Sequence, residues 1–338
     1  MKQPFPHFLQ TPAWGRAKQA AAPAWTPFFF VRDSGASVFR AADRFGDPAE
    51  HESCALILER SLGLGQKLHY IPRGPWVDWA DETAVEATLS FIKNFARERK
   101  VLFTRMEPDA LEGDFTYAPV RASGFTRTPD YIQAKDTVKV PIDKGDEELL
   151  ASFHHKHRYN IKLAEKRGLA VRVSTDRRDA AVFYDLLLKT ERRHGGALHV
   201  HPLSYYEKVL SVLAAERMAR IYLVEKGTAV ASASLVFTWG SEAIYLFGAS
   251  DYEFRRDMPN HLREWHSMRD ARDEGRRYFD LWGVTMRHDP GGGIKRYKLG
   301  YRDEIGVMAG TFDWSPRPLP YGLFKLLNAV RRGPGAGG

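Results

Sequence analysis

A single cysteine, Cys54, occurs in 338 residues. A disulfide framework within the chain is therefore excluded, and a cysteine-based zinc site has too few ligands. No apolar run approaches the roughly 20 residues that a membrane-spanning helix needs. The opening residues, MKQPFPHFLQTPAW, have no apolar signal-peptide core. These absences predict a cytoplasmic chain. Two catalytic signatures are missing as well. The triple glycine at 291–293 is not followed by Lys-Ser/Thr, so it is no phosphate loop. No GxSxG turn is present to expose a nucleophilic serine.

What is present is a core-forming composition. Hydrophobic residues make up 43% and charged residues 27%, as in soluble globular proteins. The length fits one large or two ordinary domains. Fifty Lys+Arg stand against 42 Asp+Glu, a formal net charge of +8. That excess favours polyanionic partners, either nucleic acid, phosphorylated substrates or an anionic membrane face, without choosing among them.

Along the chain, Thr11 and Pro12 have the cap and first-turn chemistry of a helix start. Residues 28–32 and 37–40 read as strands about an Asp33-Ser34-Gly35 turn, as do 54–60 and 67–71. Residues 81–99 carry Val85, Leu89 and Ile92 at helical spacing, and 101–106 is the next strand. Asp146 is placed to cap one helix running to Gly168. Helices are expected at 176–194 (closed by Gly195-Gly196), 202–217 and 259–273. Strands are expected at 171–174, 220–225, 228–238 and 243–249. Residues 54–108 and 220–283 repeat one order of elements: strands, a Gly-containing corner, a long helix, a strand. That order suggests two copies of one α/β unit, each a mixed sheet with helices on its faces.

The stretch 276–301, RRYFDLWGVTMRHDPGGGIKRYKLGY, is organised around a change of structure. Tyr278, Asp280 and Trp282 alternate with Phe279 and Leu281 as in a strand. Asp289, Pro290 and the triple glycine then impose a loop. A short amphipathic run follows with Lys295, Arg296, Tyr297 and Lys298. A cation is thus set at the C-terminal edge of a sheet, where open α/β sheets hold ligands. A solvated surface loop is the competing reading.

Several phrases taken together resemble the FemABX peptidyltransferases: FLQTPAWGRAK near the start, YIPRGPWVD at 70–78, RMEP at 105–108 and HRYNIKLAEKRGLAVR at 157–172. HPLSYYEKVL at 201–210, YLFGAS at 245–250, YFDLWGV and GIKRYKLGY continue the match in order. The resemblance implies an α/β (α+β mixed-sheet) fold of two tandem GNAT-like domains flanking a groove, without a coiled-coil arm. It implies a precursor-binding domain at 1–143 completed by 309–330, a catalytic domain at 144–308 on the tRNA side, and a disordered tail at 331–338. The implied activity moves an amino acid from aminoacyl-tRNA to the stem-peptide amine of a peptidoglycan precursor, UDP-MurNAc-pentapeptide or lipid II, with no cofactor and no metal; the alternatives are a GNAT-type acyl-CoA-dependent N-acyltransferase and a non-catalytic tRNA- or nucleotide-binding relative.

Residue by residue, the resemblance gives Lys18 the diphosphate of the precursor, with His201 where the family can have an arginine. Arg73 belongs to the same substrate-binding set. Tyr205 matches a substrate-binding tyrosine. Phe247 stands where a binding tyrosine can occur, so that hydroxyl is lost unless Tyr245 replaces it. Glu107 matches an acidic residue considered for the general-base role, and Lys298, preceded by Tyr297, a lysine at the reacting ester. A cation at that point stabilises the oxyanion of acyl transfer. The ester is already activated, so a dedicated protein base is not required. His154, His155 and His157 lack metal-ligand spacing. With Lys156, Arg158 and Lys162 they form a basic face suited to tRNA phosphates or to plain solvation. An ordinary GNAT enzyme would hold acyl-CoA on an R/Q-x-x-G-x-G/A loop opening a helix. The one match begins at Arg332, where no helix follows. The basic tail with Phe324, Leu326, Leu327, Arg331 and Arg332 suits peripheral contact with an anionic membrane or packing on the first domain.

Overall fold

The computed structural model describes residues 3–195, 200–285 and 292–332. Gly196, the centre of the glycine-rich loop and most of the expected disordered tail lie outside the described residues. Two compact units divide the chain, Met1–Lys135 with Val307–Gly338 and Asp136–Gly306. The division thus falls before Asp136 rather than after residue 143. The physical reason is the strand Lys139–Pro141, which pairs antiparallel with Tyr278–Asp280 in the second unit's sheet.

The first unit is built on a seven-stranded mixed sheet. Trp25–Asp33, His51–Gly63 and Gln66–Ile71 form an antiparallel meander. The helix Glu82–Glu98 then carries the chain over to Phe103–Met106, which pairs parallel with Gln66–Ile71. Asp81 caps that helix by accepting a hydrogen bond from the Ala84 amide at 3.0 Å, worth about 1 kcal/mol. Its inward stripe buries Val85, Leu89, Ile92 and Ala96 completely, each large aliphatic contributing about 1.5–3 kcal/mol. Thr11 caps the first helix, Pro12–Ala21, as the sequence predicts.

Closure of this sheet comes from the other end of the chain. Thr311–Trp314 lies between Phe103–Met106 and Thr126–Thr128, antiparallel to both. Arg105 locks it with two bonds to the buried Asp313 carboxylate, 2.8 and 2.7 Å. The helix Pro318–Arg332 follows, so helical structure extends past residue 330. Phe324 and Tyr321 turn inward, their rings 5.5 and 5.0 Å from Phe103. Phe324 therefore belongs to packing on the first unit and not to an outward face.

The second unit repeats the scheme. Its six strands run in the order Lys139–Pro141, Tyr278–Asp280, Glu242–Ser250, Ala229–Trp239, Ala219–Lys226, Ala170–Ser174. The helix Pro259–Asp273 links Glu242–Ser250 to its parallel neighbour Tyr278–Asp280. One face of the sheet packs on Phe153, Trp265, Met268 and Tyr301. The single helix expected from 146 to 168 is two, Asp146–Ser152 and His155–Lys166. Phe153 and His154 between them have extended backbone, and the His154 imidazole caps the second helix at the Lys156 amide, 3.3 Å away. Burying Phe153 against Trp265 and Tyr301 offsets the interrupted ladder.

Candidate active site

In the second unit the chain after Tyr278–Asp280 is held as a shaped loop. Asp280 accepts from the Thr137 hydroxyl and from the Trp282 amide, the latter at 2.6 Å. Asp136 accepts from the amides of Val284 and Thr285 at 2.9 and 3.1 Å. Trp282 takes φ +63°, a left-handed conformation that costs a bulky residue free energy. The two carboxylates offset it and direct the Gly283 carbonyl inward.

Lys298, in the short helix Gly293–Leu299, donates to that carbonyl at 2.7 Å. Only 3% of Lys298 is exposed. The alternative of a solvated surface lysine does not hold. Its ammonium also lies 5.7 Å from the centre of the Tyr245 ring. Burial lowers its pKa to about 8, against which Asp280, Glu264 and Asp136 act to raise it. The group is therefore a desolvated cation at neutral pH with a proton it can release near pH 8. One of its three N–H groups is used by Gly283, which leaves two others.

Tyr245 and Tyr297 were singled out in the sequence, whereas Arg263, Glu264, His261 and Tyr301 around them were not. Arg263 and Glu264 form a fully buried pair on the helix Pro259–Asp273, with contacts of 2.9 Å. Arg263 also donates to the Tyr245 hydroxyl at 3.1 Å. Burial raises the Tyr245 pKa to about 12, so the phenol stays protonated. Tyr297 is within 3.2 Å of Tyr301, hydroxyl to hydroxyl. The Tyr297 carbonyl accepts from His157 Nε2 at 2.8 Å. His157 is buried and stands 4.6 Å from His261, ring centre to ring centre. Burial lowers both imidazole pKa values, His261 to about 3, so this pair is neutral packing. Gly300 is required here, because a Cβ would occupy the space of the His157 ring. The only sequence signal for Arg263, Glu264 and His261 was their place in a helix already read as amphipathic.

His201, Tyr205 and Phe247 form a different group in the same unit. The His201 and Tyr205 rings stack at 3.9 Å. Tyr206 contacts Tyr205 and, edge-on at 5.5 Å, Phe247. Burial raises the Tyr205 pKa. Tyr245 cannot supply the hydroxyl that Phe247 lacks. The strand bulges between them, Tyr245 pairing with Val236 and Phe247 with Leu235, so the extra residue sends the two rings to opposite faces. Tyr245 faces the core with Trp265, and Phe247 faces Phe237 and Tyr206.

On the basic helix His155–Lys166, Lys156 and Lys162 are exposed, and Tyr159 is 64% exposed. Arg158 instead donates to the Phe153 and Ala151 carbonyls, closing the preceding helix. His154 and His155 face outward while His157 faces inward, so the three imidazoles do not converge. No cluster of three or more metal-ligating side chains occurs among the described residues.

In the first unit, Glu107 and Arg73 share the corner where Gln66–Ile71 and Phe103–Met106 end. Glu107 is 3% exposed. Its carboxylate accepts from the Tyr70 hydroxyl, the amides of Ile132 (2.7 Å) and Gln133 (3.2 Å) and the Thr311 hydroxyl (3.1 Å). A carboxylate with its lone pairs so occupied anchors a loop and is poorly placed to take a substrate proton. Arg73, at φ +47°, donates to the Ala134 carbonyl of the same loop at 2.8 Å. Lys18 is half-buried on the first helix. Burial, then the nearby Arg60, lower its pKa. Arg60 lies over the Trp25 ring at 5.4 Å. This second cation beside Lys18 was missed, because on the sequence it is one charge at the end of a strand.

Two units, each a mixed sheet with a parallel crossover and flanking helices, have the architecture of a tandem GNAT fold. Residues 151–299 match the family model of the acetyltransferase (GNAT) domain, and residues 1–118 that of the FemAB family. The chain is 26% identical to the lipid II:glycine glycyltransferase of Staphylococcus aureus, over 82% of this chain and 83% of that protein. Its fold is similar to the crystal structure of FemX, with a TM-score of 0.82, 24% identity and 94% of each chain covered. A tandem GNAT protein from the clavulanic acid biosynthesis pathway shares the fold more distantly, with a TM-score of 0.50, 13% identity and coverage of 90% of this chain and 87% of that one. Over most of its length the chain is thus similar to proteins of the FemAB type.

Proposed function

We propose that the protein transfers an amino acid from aminoacyl-tRNA to the stem-peptide amine of a peptidoglycan precursor, as a step in interpeptide bridge formation. The observation that carries the reading is Lys298, a desolvated cation fixed on the Gly283 carbonyl with two N–H groups remaining. The likeness to a lipid II:glycine glycyltransferase over most of both chains supports the substrate class.

In this mechanism the acceptor amine attacks the carbonyl carbon of the ester that joins the amino acid to the terminal ribose. A C–N bond forms and the carbonyl oxygen gains the negative charge. Lys298 stabilises that oxyanion, a contribution of about 100–1000-fold when one such donor is removed. The C–O bond to ribose then breaks. The proton shed by the attacking amine passes to the departing ribose oxygen, so no side-chain base is needed and Glu107 is left to its loop. Lys18 with Arg60 takes the precursor diphosphate, two cations suited to a polyanion. Lys156 and Lys162 contact tRNA phosphates.

The test is a transfer assay with purified protein, total tRNA charged with labelled amino acids, and either nucleotide-linked or lipid-linked pentapeptide. Label on the precursor that falls about 100-fold or more in Lys298→Ala is the expected result. Absence of transfer to both acceptors beside an active control enzyme overturns it, and acylation from acyl-CoA in a parallel reaction would replace tRNA as donor.

A further inference from the structure

The helix Pro318–Arg332 has its orientation fixed on the first unit. Tyr321 and Phe324 pack on Phe103, and the Tyr321 hydroxyl donates to Asp313 at 2.5 Å. Just before it, Arg317 donates to the Gln66 side chain at 2.6 Å and Ser315 to the Leu102 carbonyl at 2.6 Å. With that face inward, the 3.6-residue repeat places Leu319, Leu323, Leu326 and Leu327 in one stripe on the other side. They are 86%, 58%, 62% and 53% exposed. Single exposed leucines are ordinary on a protein surface, but four on one face within nine residues are a patch.

The charge around the stripe selects its partner. From Ser315 to the C-terminus the sequence contains Arg317, Lys325, Arg331 and Arg332 and no Asp or Glu. Two copies of this helix packed leucine to leucine would bring those like charges together. An anionic lipid surface neutralises them while its acyl region takes the leucines. Fifteen residues span roughly 22 Å, short of a bilayer core, and no helix among the described residues is long and apolar enough to cross a membrane. We propose that this helix lies in the interface of an anionic membrane, its outer leucines inserted and its inner aromatics holding the first unit to the surface.

Co-sedimentation of the full chain with vesicles tests this. Vesicles of equal parts phosphatidylcholine and phosphatidylglycerol should retain the protein, pure phosphatidylcholine should not, and added salt should release it. Leu323→Glu/Leu327→Glu should lower partitioning by about tenfold or more, with circular dichroism and thermal unfolding unchanged because both side chains are exposed. Arg331→Ser/Arg332→Ser, which leaves the stripe intact, should lower it by a smaller factor. Unchanged binding by the leucine variant, or equal binding to neutral vesicles, overturns the proposal. So does a solution dimer that the leucine variant converts to monomer while neither protein binds vesicles.

Discussion

Burial of the Lys298 ammonium carries a stability cost. Its pKa is about 8 in the folded protein against about 10.5 in an unfolded chain. Between these values the unfolded state binds more protons, so stability should rise as pH increases from 8 to 10.5. Below about 8 both states are protonated and the full penalty of burying the cation stands. Lys298→Met should therefore gain roughly 1–3 kcal/mol at pH 7, flatten that rise and lower transfer by about 100-fold or more. Denaturant titrations of both proteins across this range would check it. Glu107 predicts the opposite pattern. Glu107→Gln turns an amide donor toward donors, so it should lose about 2–4 kcal/mol. Because nothing in the proposed reaction uses Glu107, kcat of the folded fraction should stay within about tenfold of wild type, a loss far smaller than that of a missing general base.

At the scale of elements, the bulge in Glu242–Ser250 decides which aromatic ring serves which face. A regular strand would leave Tyr245 and Phe247 on one face, and the pair would be interchangeable. The inserted residue separates them. Tyr245 then lies back over Gly248, where a Cβ would collide with its hydroxyl. Gly248→Ala should cost about 1–3 kcal/mol in stability. It should also reduce transfer, since Tyr245 is held between Arg263 and Lys298. Thermal unfolding and kcat measured together would show whether both fall. The helix that carries Arg263 was readable from its apolar period, 259–273 being observed as Pro259–Asp273, just as in the first unit 81–99 is observed as Glu82–Glu98. The bulge was not readable, because YLFG alternates like any strand and only the register on Ala229–Trp239 shows which residue is extra.

For the whole molecule, connectivity sets which part can stand alone. The second unit is continuous, Asp136–Gly306, whereas the first needs Val307–Gly338. A chain ending at Gly306 would lack Thr311–Trp314 and leave Phe103–Met106 unpaired on one edge. It would also leave Arg105 buried without Asp313. Limited proteolysis of that truncation should leave a resistant fragment near 136–306 and degrade 1–135, while the full chain yields both. Equal resistance of the two parts would contradict this assignment.

The sequence by itself determined the mixed α/β class, the duplicated order of strands and helix, the main helices, and the lysine after the glycine-rich loop. Each rests on local information: apolar period, cap chemistry, turn residues and a long run of family-like phrases in order. Only the tertiary structure decided that Lys298 is buried on the Gly283 carbonyl, that Glu107 is an anchor, and that Arg263 and Glu264 form a buried pair. It also decided that Arg60 accompanies Lys18, that Tyr245 and Phe247 part company, and that the tail helix turns Phe324 inward and four leucines outward. These depend on which distant segments meet and on the dielectric they create. Residues 136, 280 and 298, or 107, 132 and 311, become one environment only when the sheets close around them.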